Sequence, residues 1–318
     1  MHSRILHCGG CVDNAGMHAL RFPFPHRRTS RGIQAALQLA AALALAFASG
    51  VQATEEAAQP RTRERGPVNP LRLPTGSDYA EASELPLSSN EPMYFVVGGT
   101  DDVTARIQLS LQYRILSEES TLVQRWPWLG KMHFGYTQTA FWDLRADSLP
   151  FKDTHYRPSL YWQQVQDYDT GGVDVLRIGY EHLSNGKDGT ESRGIDYLMI
   201  HPGWVKRFDE RYLLFGPKLR LDFSRSEHNK DVTDYWGYVD WYLRYGQEDG
   251  WVTGATLRYG EAGQGSLQLD FSYPVRNPIF PRTGGFVYVQ LFHGYGETFV
   301  DYDRHDGTQL RIGLAIVR

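Results

Sequence analysis

Cysteine is almost absent: the 318-residue chain has two, Cys8 and Cys11. Both precede a segment in which Arg27, Arg28 and Arg31 lead into an apolar run, Ala35 to Ser49, followed by Val51-Gln52-Ala53. Basic residues, a short apolar core and small residues, in that order, read as a secretory signal removed after Ala53, with Met17 as a plausible true initiator. Residues 1–53 are assigned to that signal. The remaining 265 of the 318 residues contain no cysteine and so no disulfide.

A long hydrophobic run is missing too. After Ala53 no apolar stretch approaches the roughly 20 residues of a membrane helix. Basic charge is in short supply. Of 33 Lys and Arg, five fall before residue 54; of 37 Asp and Glu, one does, leaving 28 against 36 and a formal balance of −8. An acidic balance argues against a nucleic-acid ligand. Helical periodicity is absent. What the chain does have is aromatic residues, with all eight Trp and all nineteen Tyr after Ala53. A secretory signal, many aromatics, no disulfide and no apolar helix predict an all-β fold, a transmembrane antiparallel β-barrel. A soluble barrel or sandwich is the alternative, and it leaves unexplained the Trp and Tyr near strand ends with aliphatic residues between them.

Residues 54–91 are rich in Pro, Ser and charge and read as a loosely held N-terminal segment; residues 92–318 read as the barrel. The clearest strand runs from Val103 to Ile115. Its odd positions are Val, Ala, Ile, Leu, Leu, Tyr and Ile, and its even positions are Thr, Arg, Gln, Ser, Gln and Arg. Such alternation suits a tilted crossing of roughly 9–11 residues. Similar segments are expected at about 130–143, 155–167, 173–184, 194–205, 211–223, 234–245, 251–259, 265–273, 284–294 and 308–317. Single-chain bacterial barrels have even strand numbers, and Met93–Gly98 supplies a twelfth. Loops near 144–154, 185–193, 224–233 and 302–307 then fall at one end, and links near 168–172 and 246–250 at the other.

The stretch Gly179–Ile200, GYEHLSNGKDGTESRGIDYLMI, carries the chemistry. Residues two apart on a strand share a face. Leu176, Ile178, Tyr180, His182 and Ser184 therefore line one face, and Arg177, Gly179 and Glu181 the other. A base and a nucleophile side by side continue an apolar stripe, the reverse of what a soluble enzyme does. A hairpin would bring Asp196 on the return strand to the imidazole. Ser attack on an acyl carbon needs such a base and a group that orients it, and Gly186 offers a backbone N–H to an oxyanion. By itself His-x-Ser is a weak signal.

The same residues carry a resemblance. HLSNG at 182–186, SR at 192–193 and Asp196 are similar to the outer-membrane phospholipase A family. So, in the family's order, are QLSL at 108–111, YTQ at 136–138 with Trp142, SLPF at 148–151 with Tyr156 and Pro158, SYP at 272–274, and GYGE with DY over 294–302. The resemblance implies a twelve-stranded barrel in the bacterial outer membrane with its site on the lipid-facing wall. It implies a homodimer that hydrolyses acyl esters of phospholipids and lysophospholipids with Ca2+. It carries the catalytic roles to His182 and Ser184; the family's third member is Asn, and here the position holds Asp196. At a lipid-facing site that carboxylate must be desolvated or protonated. The implied calcium ligands are the Lys187 carbonyl, the Ser192 hydroxyl and Ser148 from across the dimer. Asp147, Asp188 and Glu191 add charge to the site or form a solvated acidic loop. Gln138, on the face of Phe134, Tyr136 and Trp142, corresponds to the family's lipid-face amide at the dimer interface. Arg177 and Glu181 are expected to pair in the lumen. The chain ends Ile-Val-Arg, where many such barrels end in an aromatic residue. Two other functions compatible with these residues are a hydrolase of lipopolysaccharide acyl chains and a non-catalytic pore, the latter weakened by the bulky polar residues Arg106, Gln108 and Gln112 expected in the lumen.

Overall fold

The computed structural model describes residues 86–100, 103–145, 148, 150–166, 172–247, 250–275 and 285–318; the signal assigned to 1–53 lies outside them. A short strand, β1 (Leu87–Ser89), precedes twelve longer ones: β2 (Met93–Gly98), β3 (Thr104–Arg114), β4 (Met132–Asp143), β5 (Phe151–Val165), β6 (Val175–Ser184), β7 (Gly194–Phe208), β8 (Arg211–Arg225), β9 (Val239–Gln247), β10 (Val252–Tyr259), β11 (Gly265–Pro274), β12 (Phe286–Tyr295) and β13 (His305–Val317). From β2 to β13 each strand is antiparallel to the next, and β13 pairs back onto β2. Closure removes the free edges of the sheet, whose backbone polar groups would find no partner in lipid.

The period of two sorts the side chains. Along β13, Leu310, Ile312, Leu314 and Ile316 face outward and are exposed, while Arg311 between them is buried. The inner face is rich in polar side chains, with Gln108, Gln112, Lys218, Arg220, Asp240 and Gln290 buried there beside a smaller apolar cluster that includes Leu183, Ile195 and Met199. Alternation is therefore the reason that no long apolar run exists in a membrane protein.

Lumen charges are paired, because an unpaired charge in a low-dielectric interior is very costly. Asp240 accepts from Arg220 at 2.6 Å and from Arg258 at 2.8 Å. Glu181 accepts from both Lys218, at 2.9 and 3.0 Å, and Arg157, at 3.4 Å. The expected Arg177–Glu181 pair is thus replaced: Glu181 turns to cations on β8 and β5, and Arg177 donates to Gln163 at 2.6 Å and Asn90 at 2.9 Å. Same-face parity gave the right wall but not which cation across the lumen reaches the carboxylate.

Four elements differ from the alternation pattern. β1 lies in the stretch assigned to a loose N-terminal segment, yet it pairs with β3, Leu87 opposite Tyr113. Asn90 and Glu91, between β1 and β2, contact lumen residues, Asn90 bonding to Tyr161 at 3.2 Å and Glu91 pairing with Arg157. The strand expected at 234–245 begins only at Val239, because Val232–Trp236 forms a single helical turn ended at Gly237. The β3–β4 link holds two more short helical pieces, Thr121–Arg125 and Pro127–Lys131. Arg318 donates to the carbonyls of Gly250 and Gln247, and its guanidinium lies 4.2 Å from the Phe286 ring centroid.

Candidate active site

The β6–β7 pairing sets His182 opposite Asp196 and Ser184 opposite Gly194. On β6, Glu181 and Leu183 are buried inward, which leaves Tyr180, His182 and Ser184 on the outer wall. Ile178, Leu198, Leu221 and Phe223, all exposed, surround them. The site is therefore set in the apolar belt, as the sequence parity predicts.

His182 Nδ1 lies 2.8 Å from Asp196 Oδ1, with side chains 37% and 27% exposed. A carboxylate has no proton to give, so Nδ1 carries the hydrogen and Nε2 the lone pair. The same Oδ1 accepts the Tyr180 hydroxyl at 2.6 Å. Two donors on one oxygen hold Asp196 against the imidazole. Ser184 Oγ accepts the Gly186 N–H at 3.0 Å. Among the described residues it makes no hydrogen bond to His182, so its own proton is uncommitted. Before substrate binds, catalytic hydrogen bonds are often longer than in the working complex.

The loop that follows is shaped by two asparagines. Asn185, buried, accepts the Arg193 N–H at 2.9 Å and the Lys187 N–H at 3.3 Å, and donates to the Glu191 carbonyl at 2.8 Å. Asn229, in the β8–β9 connection, is fully buried and meets both backbone groups of Gly194 at 3.1 Å. Its amide completes the start of β7 where no strand does. Arg193 reaches the Val300 carbonyl at 3.2 Å and lies over the Tyr302 ring. The Tyr302 phenol is pushed above its ordinary value, first by burial and then by its hydrogen bond to Asp231. Gly186 has φ of 68°, and a Cβ there would meet Tyr156 Cε2 at 2.8 Å, so both conformation and space require glycine.

Lys187 and Ser192 stand at the two ends of this loop. Among the described residues, neither the Lys187 carbonyl nor the Ser192 hydroxyl takes part in a hydrogen bond. Free carbonyl and hydroxyl oxygens suit a hard cation such as Ca2+. Among the described residues no cluster of three or more His, Cys, Asp or Glu is placed to hold a metal; the donor set implied by the family resemblance is instead largely neutral oxygen. Asp188 and Glu191 are exposed, and Glu191 pairs with the Lys187 ammonium at 3.0 Å. Asp147 lies outside the described residues. Ser148 is exposed in the β4–β5 connection with φ of 68°; within one chain no described hydrogen bond brings it to the 185–193 loop. Gln138 faces outward on β4, accepts from Tyr136 at 3.0 Å and is the register partner of Tyr156, which in turn is the partner of Ser184.

Four residues at the site escape sequence reasoning. Tyr180 looked like one more member of the apolar stripe; its parity with His182 was the available signal. Tyr156 sits opposite Ser184, but strand register is not written in the sequence. Asn185, between a nucleophile and a glycine, was visible as a polar residue at a turn. Asn229 comes from 33 residues beyond Asp196 and had no local signal.

A family model described as phospholipase A1 matches residues 77–317. Among curated proteins the chain is similar to a putative phospholipase A1 of Neisseria meningitidis, 30% identical over 200 residues that cover 57% of this chain and 47% of that protein. It is also similar to phospholipase A1 of Escherichia coli K12, 28% identical over 191 residues, covering 57% of this chain and 60% of that protein. The chain thus spans about half to three fifths of the length of these relatives. Among solved structures it is similar to outer membrane phospholipase A from Escherichia coli, with 25% identity, a TM-score of 0.58, and coverage of 72% of this chain and 91% of that one. A Salmonella typhi outer membrane phospholipase dimer with bound calcium gives 25% identity and a TM-score of 0.57 over the same shares. With a twelve-stranded closed barrel and a family match over most of its length, this chain belongs to the phospholipase A1 family.

Proposed function

We propose that this protein is a calcium-dependent outer-membrane phospholipase that hydrolyses acyl ester bonds of phospholipids and lysophospholipids as a homodimer. The observation that carries the reading is the 2.8 Å His182–Asp196 pair beside Ser184 on a lipid-facing wall. An ester arriving from the bilayer meets Ser184 without leaving lipid.

In this reading Ser184 Oγ attacks the acyl carbonyl carbon while its proton passes to His182 Nε2. Asp196 accepts the Nδ1–H throughout and stabilises the imidazolium. The Gly186 N–H, 3.0 Å from Oγ, is near enough to donate to the developing oxyanion. Collapse breaks the bond between the acyl carbon and the alkoxy oxygen, and the leaving alcohol takes the proton from His182. Water, deprotonated by the same imidazole, then releases the fatty acid from Ser184. Lys187 and Ser192, joined by Ser148 of the other copy, are the residues that would hold Ca2+. When bound, the ion would supply positive charge that stabilises the oxyanion. Gln138 pairs across the twofold, where two outward amides in an apolar wall satisfy each other.

The test is Ser184→Ala in detergent with calcium and with a chelator. Loss of a triad nucleophile is expected to lower hydrolysis by several orders of magnitude, while the protein still migrates as a heat-modifiable barrel. Parental turnover in that variant refutes the assignment.

A further inference from the structure

We propose that Tyr180 is a positioning residue for this hydrolysis, an inference that rests on the catalytic assignment above. Its hydroxyl donates to Asp196 Oδ1 at 2.6 Å, the oxygen that also receives His182 Nδ1 at 2.8 Å. Its ring lies on the outer wall with its centroid 6.2 Å from that of Phe223 on β8. Tyr180 thus reaches Asp196 diagonally from β6, while His182 reaches it directly across the same pair of strands.

The physical need is specific to this chain. A neutral amide in the orienting position requires little solvation. A carboxylate does, and here it stands on a wall lined by Ile178, Leu198, Leu221 and Phe223, where lipid offers no donor. The groups that face Asp196 are Tyr180 and His182 from β6 and Ser224, its register partner, from β8. Tyr180 and His182 donate to the same oxygen, Oδ1, and the Ser224 hydroxyl is a third hydrogen-bonding neighbour. Without the phenol, Oδ1 would keep only the imidazole, and the carboxylate would be free to turn further toward Ser224. Tyr180 therefore does two things: it keeps Asp196 ionised beside the bilayer, and it fixes the oxygen toward which Nδ1–H points.

The sign of the pH effect follows. Removing a donor from the Asp196 carboxylate removes a group that favours its charged form, so the anion that orients His182 is lost at a higher pH. That loss moves the acid limb of the pH–rate profile to higher pH.

The experiment uses the full chain in detergent with calcium and compares the parent, Tyr180→Phe, Asp196→Asn and the double variant, with Ser184→Ala as reference. Phe keeps the ring against Phe223, and heat-modifiable migration verifies the barrel. Loss of a hydrogen bond to a charged group is expected to lower kcat roughly tenfold to a hundredfold in Tyr180→Phe, with KM unchanged and the acid limb moved up. With Asn at 196 there is no charge to hold, and the same substitution is expected to lower kcat by no more than about threefold. Parental kcat and acid limb in Tyr180→Phe overturn the inference. So does an equal loss in both backgrounds with the acid limb unmoved, since that is what a merely structural residue gives. If Ser184→Ala itself keeps parental activity, the hydrolase assignment fails and not the role of Tyr180 alone.

Discussion

Gly186→Ala, set against Gly189→Ala, tests the oxyanion geometry with an internal control. Both glycines belong to the same loop and both are left-handed, with φ of 68° and 57°. An L residue in that region costs about 1–2 kcal/mol, so the two substitutions share one strain term. They differ in surroundings. A Cβ on Gly186 lies 2.8 Å from the Tyr156 ring, whereas one on Gly189 meets nothing within 4 Å. Relief at 186 must come from a shift of the loop away from β5. That shift moves the N–H that now lies 3.0 Å from Ser184 Oγ. Complete loss of an oxyanion donor costs about a hundredfold to a thousandfold in kcat, and displacement is expected to fall near the lower figure. Gly189→Ala is expected to lower kcat by no more than about threefold while losing comparable stability, about 1 kcal/mol. Initial rates on phospholipid–detergent micelles over a range of substrate give kcat and KM. Denaturation followed by heat-modifiable migration gives stability. Equal effects on kcat from the two variants, or a parental kcat in Gly186→Ala, would refute the donor role of this N–H.

Two more outcomes are expected. Asp196→Asn should keep substantial activity, since the amide oxygen can still accept from both Tyr180 and His182, while Asp196→Ala should lose about tenfold or more beyond it because Nδ1–H then has no acceptor; parental pH–rate profiles in Asp196→Ala would remove Asp196 from the site. Calcium should raise crosslinking yield in the parent and less in Ser148→Ala, because a ligand shared between copies links binding to association; full calcium-stimulated turnover by a strictly monomeric preparation would show that the ion is not shared.

Much of the fold was legible because a membrane barrel must alternate. Val103–Ile115 could only be a strand with one face to lipid, and the same rule set His182 and Ser184 on that face before any pairing was known. Helical turns at 232–236 were not legible, because Tyr235-Trp236-Gly237-Tyr238 is as compatible with a strand until the backbone of Gly237 is seen at φ of 59°. Nor was β1, whose Ser88 meets Gln112 only inside the barrel.

The sequence by itself determined the class of wall, the facing of the clearest strands, and the candidate nucleophile, base and acid with their spacing. Period two and composition are local properties, and they need no partner to be read. Only the tertiary structure decided which cation meets Glu181, that Tyr180 and His182 converge on one oxygen of Asp196, and that Asn229 completes the edge of β7. Those contacts depend on the register between strands and on loops far apart in the chain. A shift of one residue in either would break them while leaving the amino-acid pattern unchanged.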